Sequence, residues 1–135
     1  MINELFRIAR DNRVAVEYTR LPLNGSISVQ DDAGDYVLMD YSLIWAGASE
    51  QVHLAHELGH CVTGSFYNVY SPYDVRGRHE RRADVWAIKK LVPKDELRRA
   101  CAEIDFDESD VAERFDVTVD FLRKAIWYYR EEAAV

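Results

Sequence analysis

Val52-His53-Leu54-Ala55-His56-Glu57-Leu58-Gly59-His60 is the stretch on which the reading of this chain turns. On a helix, His56 and His60 fall one turn apart on the same face, so both imidazoles can reach one tetrahedral zinc at about 2.0–2.1 Å per bond. Glu57 is turned about 100° from His56, which keeps its carboxylate off the metal but close to a water held there, where it can act as general base. With ordinary residue frequencies, H-E-x-x-H arises by chance in so short a chain on the order of once in a few hundred sequences. Ser49 can cap the helix, Glu50 suits its positive end, and Gly64 offers a stop, so the motif falls in mid-helix. Gly59 is a poor helix former, and its presence implies close packing against the backbone there.

The next informative pattern lies downstream. Glu80, Ala83, Asp84, Ala87, Ile88 and Leu91 recur at three- and four-residue spacing, which predicts a helix from about residue 77 to 92 with two carboxylates on an apolar stripe. Unpartnered buried carboxylates are costly, so a metal or a metal-bound histidine is the natural partner for each; the alternative is pairing with Arg at the stripe's edge. Glu80 is the candidate third ligand. Asp84, one turn on, can accept the free N–H of a ligating histidine. Cys61 points away from the ligand face and reads as packing; His53, three residues before His56, can approach the cleft, but it and His79 read better as exposed or packed histidines. One of Tyr67, Tyr70, Tyr73 or His79 can donate to an oxyanion, and nothing in the sequence selects among them.

Upstream, Ile2, Leu5, Phe6 and Ala9 have helical spacing. Residues 14–18, 27–29 and 36–40 read as strands, with turns at Asn24-Gly25 and at residues 32–35. They predict a small antiparallel sheet before the motif helix. The strand just ahead of that helix is either an ordinary core strand or the wall of a cleft that pairs with an extended peptide. Residues 65–73, aromatic and broken by Pro72, read as a loop. Pro93 fits the first position of a helix reaching about Ala102, residues 105–109 form an acidic turn, and Thr118 caps a last helix bearing Phe121, Leu122, Ala125, Ile126 and Tyr129 on one side.

A chain of 135 residues with 48% hydrophobic content fits one α+β domain. Its parts are a helix and small sheet (1–47), the zinc-site helices (48–92) and C-terminal helices (93–135). No run approaches the ~18 apolar residues of a membrane span, and the first ten residues lack a signal-peptide pattern, so a soluble cytoplasmic protein is expected. Two cysteines are too few for a disulfide framework. The net charge is −7, and residues 93–135 carry 12 acidic against 7 basic side chains. Phosphate binding needs a basic footprint, so no direct nucleic-acid partner is expected.

These residues resemble the ImmA/IrrE family of zinc metallopeptidases. The matching elements are a strand ending near Asp40, His56-Glu57-Leu58-Gly59-His60, and Glu80-Arg81-Arg82-Ala83-Asp84-Val85-Trp86-Ala87-Ile88-Lys89-Lys90-Leu91-Val92-Pro93. The last is similar to the family's E-x-x-A-[ND]-x-[FW]-A-x-x-L-x-P block. The tail around Val111 to Leu122 is similar to the helix-turn-helix-like segment that follows the peptidase core. The segment from Cys61 to Ser65 departs from the family's frequent L-H-H continuation. The resemblance implies one zinc on His56, His60 and Glu80, catalysis by Glu57, and an anti-repressor of a phage or mobile element that cleaves a helix-turn-helix repressor. Two other readings stand beside it. One is a DNA-binding regulator using residues 109–130; the other is a catalytically idle, zinc-stabilised interaction protein.

Overall fold

Leu5 and Ala9, one turn apart, form the buried face of helix α1 (Ile2–Asp11), as the apolar spacing predicts. Three strands follow, β1 (Val14–Thr19), β2 (Ser26–Asp31) and β3 (Gly34–Asp40), then a single 3-10 turn at Tyr41–Leu43. Among the described residues five helices follow: α2 (Ala48–Thr63), α3 (Tyr73–Leu91), α4 (Lys94–Glu103), α5 (Glu108–Phe115) and α6 (Val119–Ala133). This computed structural model describes residues 1–21, 25–68, 70–103 and 107–133. The turn read at Asn24-Gly25 and the acidic turn at residues 105–109 fall partly outside them.

The sheet corrects the antiparallel expectation. Its order is β1-β3-β2, with β2 antiparallel to β3 across the two-residue turn Asp32-Ala33 and β1 parallel to β3. Alternation of apolar and polar side chains is the same in either direction of pairing, so the pattern that identified the strands could not give their sense. The chain between β1 and β2 skips one strand position, and β3 fills it. Val37 and Met39 of β3 are consequently fully buried. The strand nearest α2 in sequence is therefore paired on both sides and cannot take up a peptide. Strand β2 is one of the two edges.

Helix α2 runs through the middle of the molecule, packed on α3, β2 and β3, and its Leu54 and Leu58 are fully buried. Its N-cap is Gly47 and not Ser49, which lies inside the first turn and makes no cap bond. Its C-cap is Gly64, left-handed at φ 66°, a conformation that costs glycine least. A Cβ on Gly59 would stand 2.6 Å from the Ala83 carbonyl oxygen of α3, so the two helices cross in near backbone contact there. Helix α3 begins at Tyr73, directly after Pro72, earlier than its apolar stripe begins. Its first turn, Tyr73-Asp74-Val75-Arg76, does not continue the stripe, so periodicity gave no signal. Pro93 stands just ahead of α4.

The C-terminal helices are fastened to this core. The Thr118 hydroxyl accepts from the Phe121 N–H at 3.2 Å, the expected cap of α6. Buried Gln51 of α2 donates through Nε2 to the carbonyls of Phe115 and Asp116, at 3.3 and 3.0 Å. Tyr129 donates to the Val92 carbonyl at 2.8 Å. Among the described residues, no helix is long and apolar enough to cross a membrane.

Candidate metal centre

Because α2 and α3 cross so closely at Gly59, side chains one turn away on each helix meet. His56 Nε2 lies 2.8 Å from Glu80 Oε2, His60 Nε2 lies 3.3 Å from Glu80 Oε1, and the two Nε2 atoms are 3.2 Å apart. One donor atom from each of His56, His60 and Glu80 falls within 4.8 Å of the others. Tetrahedral ligands at about 2.0–2.1 Å from a zinc would stand roughly 3.3 Å apart, close to this spacing.

The outer nitrogens settle the chemistry of the donors. His56 Nδ1 is 2.8 Å from Asp84 Oδ1, and His60 Nδ1 is 2.6 Å from the carbonyl oxygen of Ser65. Both partners are acceptors only, so each Nδ1 carries a hydrogen, and a ring that is neutral turns the lone pair of Nε2 inward. Two such lone pairs and a carboxylate converge on one point, where a metal ion, or in its place a proton on His56 shared with Glu80, satisfies them. Burial disfavours a charged His56, yet the bonds to Asp84 and Glu80 outweigh it and push its pKa up to about 10. Glu80 is held well below the usual carboxylate range: burial opposes its charge, but hydrogen bonds from His56, His60 and Tyr67 prevail. The same balance, burial against the bond to His56, lowers Asp84. Imidazole with carboxylate is a donor set that suits a metal ion.

Each candidate side chain from the sequence has a definite place. Glu80 and Asp84 face the histidines, and Asp84 also meets Lys124. Glu57, only 7% exposed, sits beside the donors at a cleft of about 510 Å³ that His56, His60, Tyr67, Arg76 and Glu80 also line. Cys61 packs in the core, and burial pushes its thiol up to about 12. Of the four oxyanion candidates, Tyr67 lines this cleft. Its hydroxyl donates to Glu80 Oε1 at 2.6 Å, which with burial raises its pKa to about 12. His79 stacks on its ring, and Tyr70 and Tyr73 are about 90% exposed.

Three participants escaped the sequence reading. Ser26 of β2 donates to Glu57 Oε2 at 2.7 Å. His53, expected as an exposed or packed histidine, bonds Ser26 Oγ through Nδ1 at 2.7 Å. Lys124 of α6 reaches Asp84 Oδ2 at 3.3 Å. All three arrive by tertiary folding. Only the four-residue spacing of His53 and Glu57 was a signal in the sequence.

A converging His, His and Glu set, with a carboxylate beside it at an open cleft, is the layout of a metallopeptidase-type site. The family model described as the IrrE N-terminal-like domain, peptidase M78, matches residues 48–126, more than half of the chain, and the protein belongs to that family. No curated protein gives a significant match.

Proposed function

We propose that this chain is a zinc-dependent endopeptidase whose substrate is a helix-turn-helix repressor. The observation that carries the peptidase reading is Glu57. A carboxylate only 7% exposed, beside the three converging donors and held, among the described residues, by the Ser26 hydroxyl, is a poor structural element but a well-placed base. The repressor as substrate is supported by the family resemblance.

His56, His60 and Glu80 would hold the zinc, with Asp84 and the Ser65 carbonyl fixing the two rings. Bound there, zinc supplies Lewis acidity to a water and to the scissile carbonyl. Glu57 removes a proton from the water at Oε1, the oxygen that Ser26 leaves free. The water oxygen bonds to the carbonyl carbon, the C–N bond breaks, and Glu57 returns the proton to the departing amine nitrogen. Tyr67 lines the cleft, and its hydroxyl, on turning from Glu80, can donate to the carbonyl oxygen as charge gathers on it. Ser26, Ile27 and Ser28 of edge strand β2 line the cleft, so an extended peptide can pair with the backbone of β2.

The rival DNA-binding reading finds little support on α6, where Arg123 pairs with Glu108 and Lys124 with Asp84. Coexpression with a helix-turn-helix repressor from the same genetic locus tests the proposal. A discrete cleavage product is expected, lost on chelation and in Glu57→Gln. A Glu57→Gln variant that cuts at the wild-type rate would refute the mechanism and leave any metal a structural role.

A further inference from the structure

His53 and Glu57 lie one turn apart on the same face of α2, and the first residue of β2 is inserted between their side chains. Ser26 Oγ stands 2.7 Å from Glu57 Oε2 and 2.7 Å from His53 Nδ1. A serine hydroxyl has one hydrogen, and an ionised carboxylate only accepts. That hydrogen therefore goes to Glu57, and His53 Nδ1 must donate to Ser26. The direction is set throughout: His53 Nδ1–H to Ser26 Oγ–H to Glu57 Oε2.

The arrangement is built and not incidental. Ser26 and Glu57 are each 7% exposed. Gly25, at φ 76°, lies against the His53 ring, and a Cβ there would come 3.0 Å from Cε1. The Gly25 carbonyl is in turn pinned by the Asp40 N–H at 2.7 Å. The terminal torsion of a glutamate is soft, so an unheld carboxylate swings its two oxygens through a broad range. Fixing Oε2 leaves Oε1 in one place.

We infer that Ser26 and His53 form a hydrogen-bond relay that holds Glu57 in its proton-accepting orientation, which makes both of them positioning residues. The catalytic part of this inference rests on the peptidase reading above. The relay itself has a signature independent of activity, because it fixes His53 in the Nδ1–H tautomer, whereas an imidazole without such a partner is free to carry its proton on Nε2. Desolvation lowers the His53 pKa, which keeps the ring neutral under the conditions of the measurement.

The test uses the full zinc-loaded chain with isotope-labelled histidine, the His53 resonances being assigned with the His53→Asn variant. Nitrogen and carbon NMR at neutral pH should show His53 as the Nδ1–H tautomer in wild type and as Nε2–H in Ser26→Ala. In cleavage of the coexpressed repressor, Ser26→Ala and His53→Leu should each lower kcat about 10–100-fold, the scale on which small misplacements of a reacting group act. KM, zinc content and thermal midpoint should stay at wild-type values. Ser26→Thr, which keeps the hydroxyl, and His53→Asn, whose amide nitrogen falls near the Nδ1 position, should recover most of kcat. A wild-type His53 in the Nε2–H form, or a Ser26→Ala enzyme with full kcat, overturns the relay. If His53 shows the Nδ1–H form but wild type cleaves nothing, the relay is upheld and the peptidase reading fails.

Discussion

Gly59→Ala adds one methyl group where α2 touches α3, and its consequence can be worked from the backbone. The new Cβ would lie 2.6 Å from the Ala83 carbonyl oxygen and 3.0 Å from the Ala83 Cα, both backbone atoms that cannot rotate away. Restoring an ordinary 3.4 Å contact means opening the crossing by about 0.8 Å at Ala83, the residue next to Asp84. Metal–ligand distances tolerate about ±0.2 Å, so a shift several times larger carries Glu80 and Asp84 out of register with His56. Overpacking costs about 1–3 kcal/mol, and roughly 1 kcal/mol returns because Ala is the better helix former. The net loss of stability is thus small, about 0–2 kcal/mol. Zinc affinity is the sensitive readout and should fall at least about tenfold, the loss typical when a ligand's outer support is disturbed. Competition with a chromophoric chelator measures it, alongside a urea titration. Gly77→Ala, on α3 with nothing within 4 Å of the added methyl, is the control and should leave affinity unchanged. A Gly59→Ala protein that binds zinc as wild type does would refute the view that the helix crossing sets the site.

The purified protein should hold about one zinc per chain, read by atomic absorption, and His60→Ala and Glu80→Ala should each lower that occupancy; full retention in Glu80→Ala removes it from the ligand set. Zinc at 100 times its dissociation constant should stabilise the fold by about 2.7 kcal/mol, so a chelator should lower the thermal midpoint. An unchanged midpoint would mean that the folded state does not bind the metal preferentially. Asp84→Ala should weaken zinc binding or activity about 10–100-fold, because His56 Nδ1 loses its acceptor. Lys124→Ala removes only a half-exposed ion pair and should change either by less than about fivefold; equal losses in the two variants would contradict that ranking. Binding to duplex DNA at physiological salt should be weaker than about 1 μM in a fluorescence anisotropy titration, since the C-terminal segment is acidic. Sub-micromolar binding to a specific sequence would revive the regulator reading.

What the sequence made legible was what regular helices make periodic. His56, Glu57 and His60 lie on one helix and Glu80 and Asp84 on another, so spacing alone fixed which side chains share a face. Gly59 announced a close approach without naming Ala83 as the neighbour. The cap of α6 at Thr118 was equally local and equally readable. Features set by pairing across the fold were not. The direction of β1 has no imprint on its alternation, and the start of α3 lies in a turn that the stripe does not reach. Tyr67 sits in an irregular segment where spacing carries no geometry. Ser26 is an unremarked serine until β2 brings it between His53 and Glu57, and His53 looked ordinary for the same reason. Lys124 reads as a surface cation until α6 folds back across 40 positions of sequence to meet Asp84.

That return of α6 sets the minimum length of a working protein. A polypeptide stopped at Pro93 would keep both motifs and all four proposed zinc and base residues. It would nevertheless strip Asp84 of its counter-ion, leave the buried Gln51 amide without its two carbonyl acceptors, and bare the surface that Phe121 and Leu122 cover. A truncation series should therefore lose cooperative unfolding when α6 is removed, well before it reaches any residue of the motifs. The transplantable unit is set by where the burial ends.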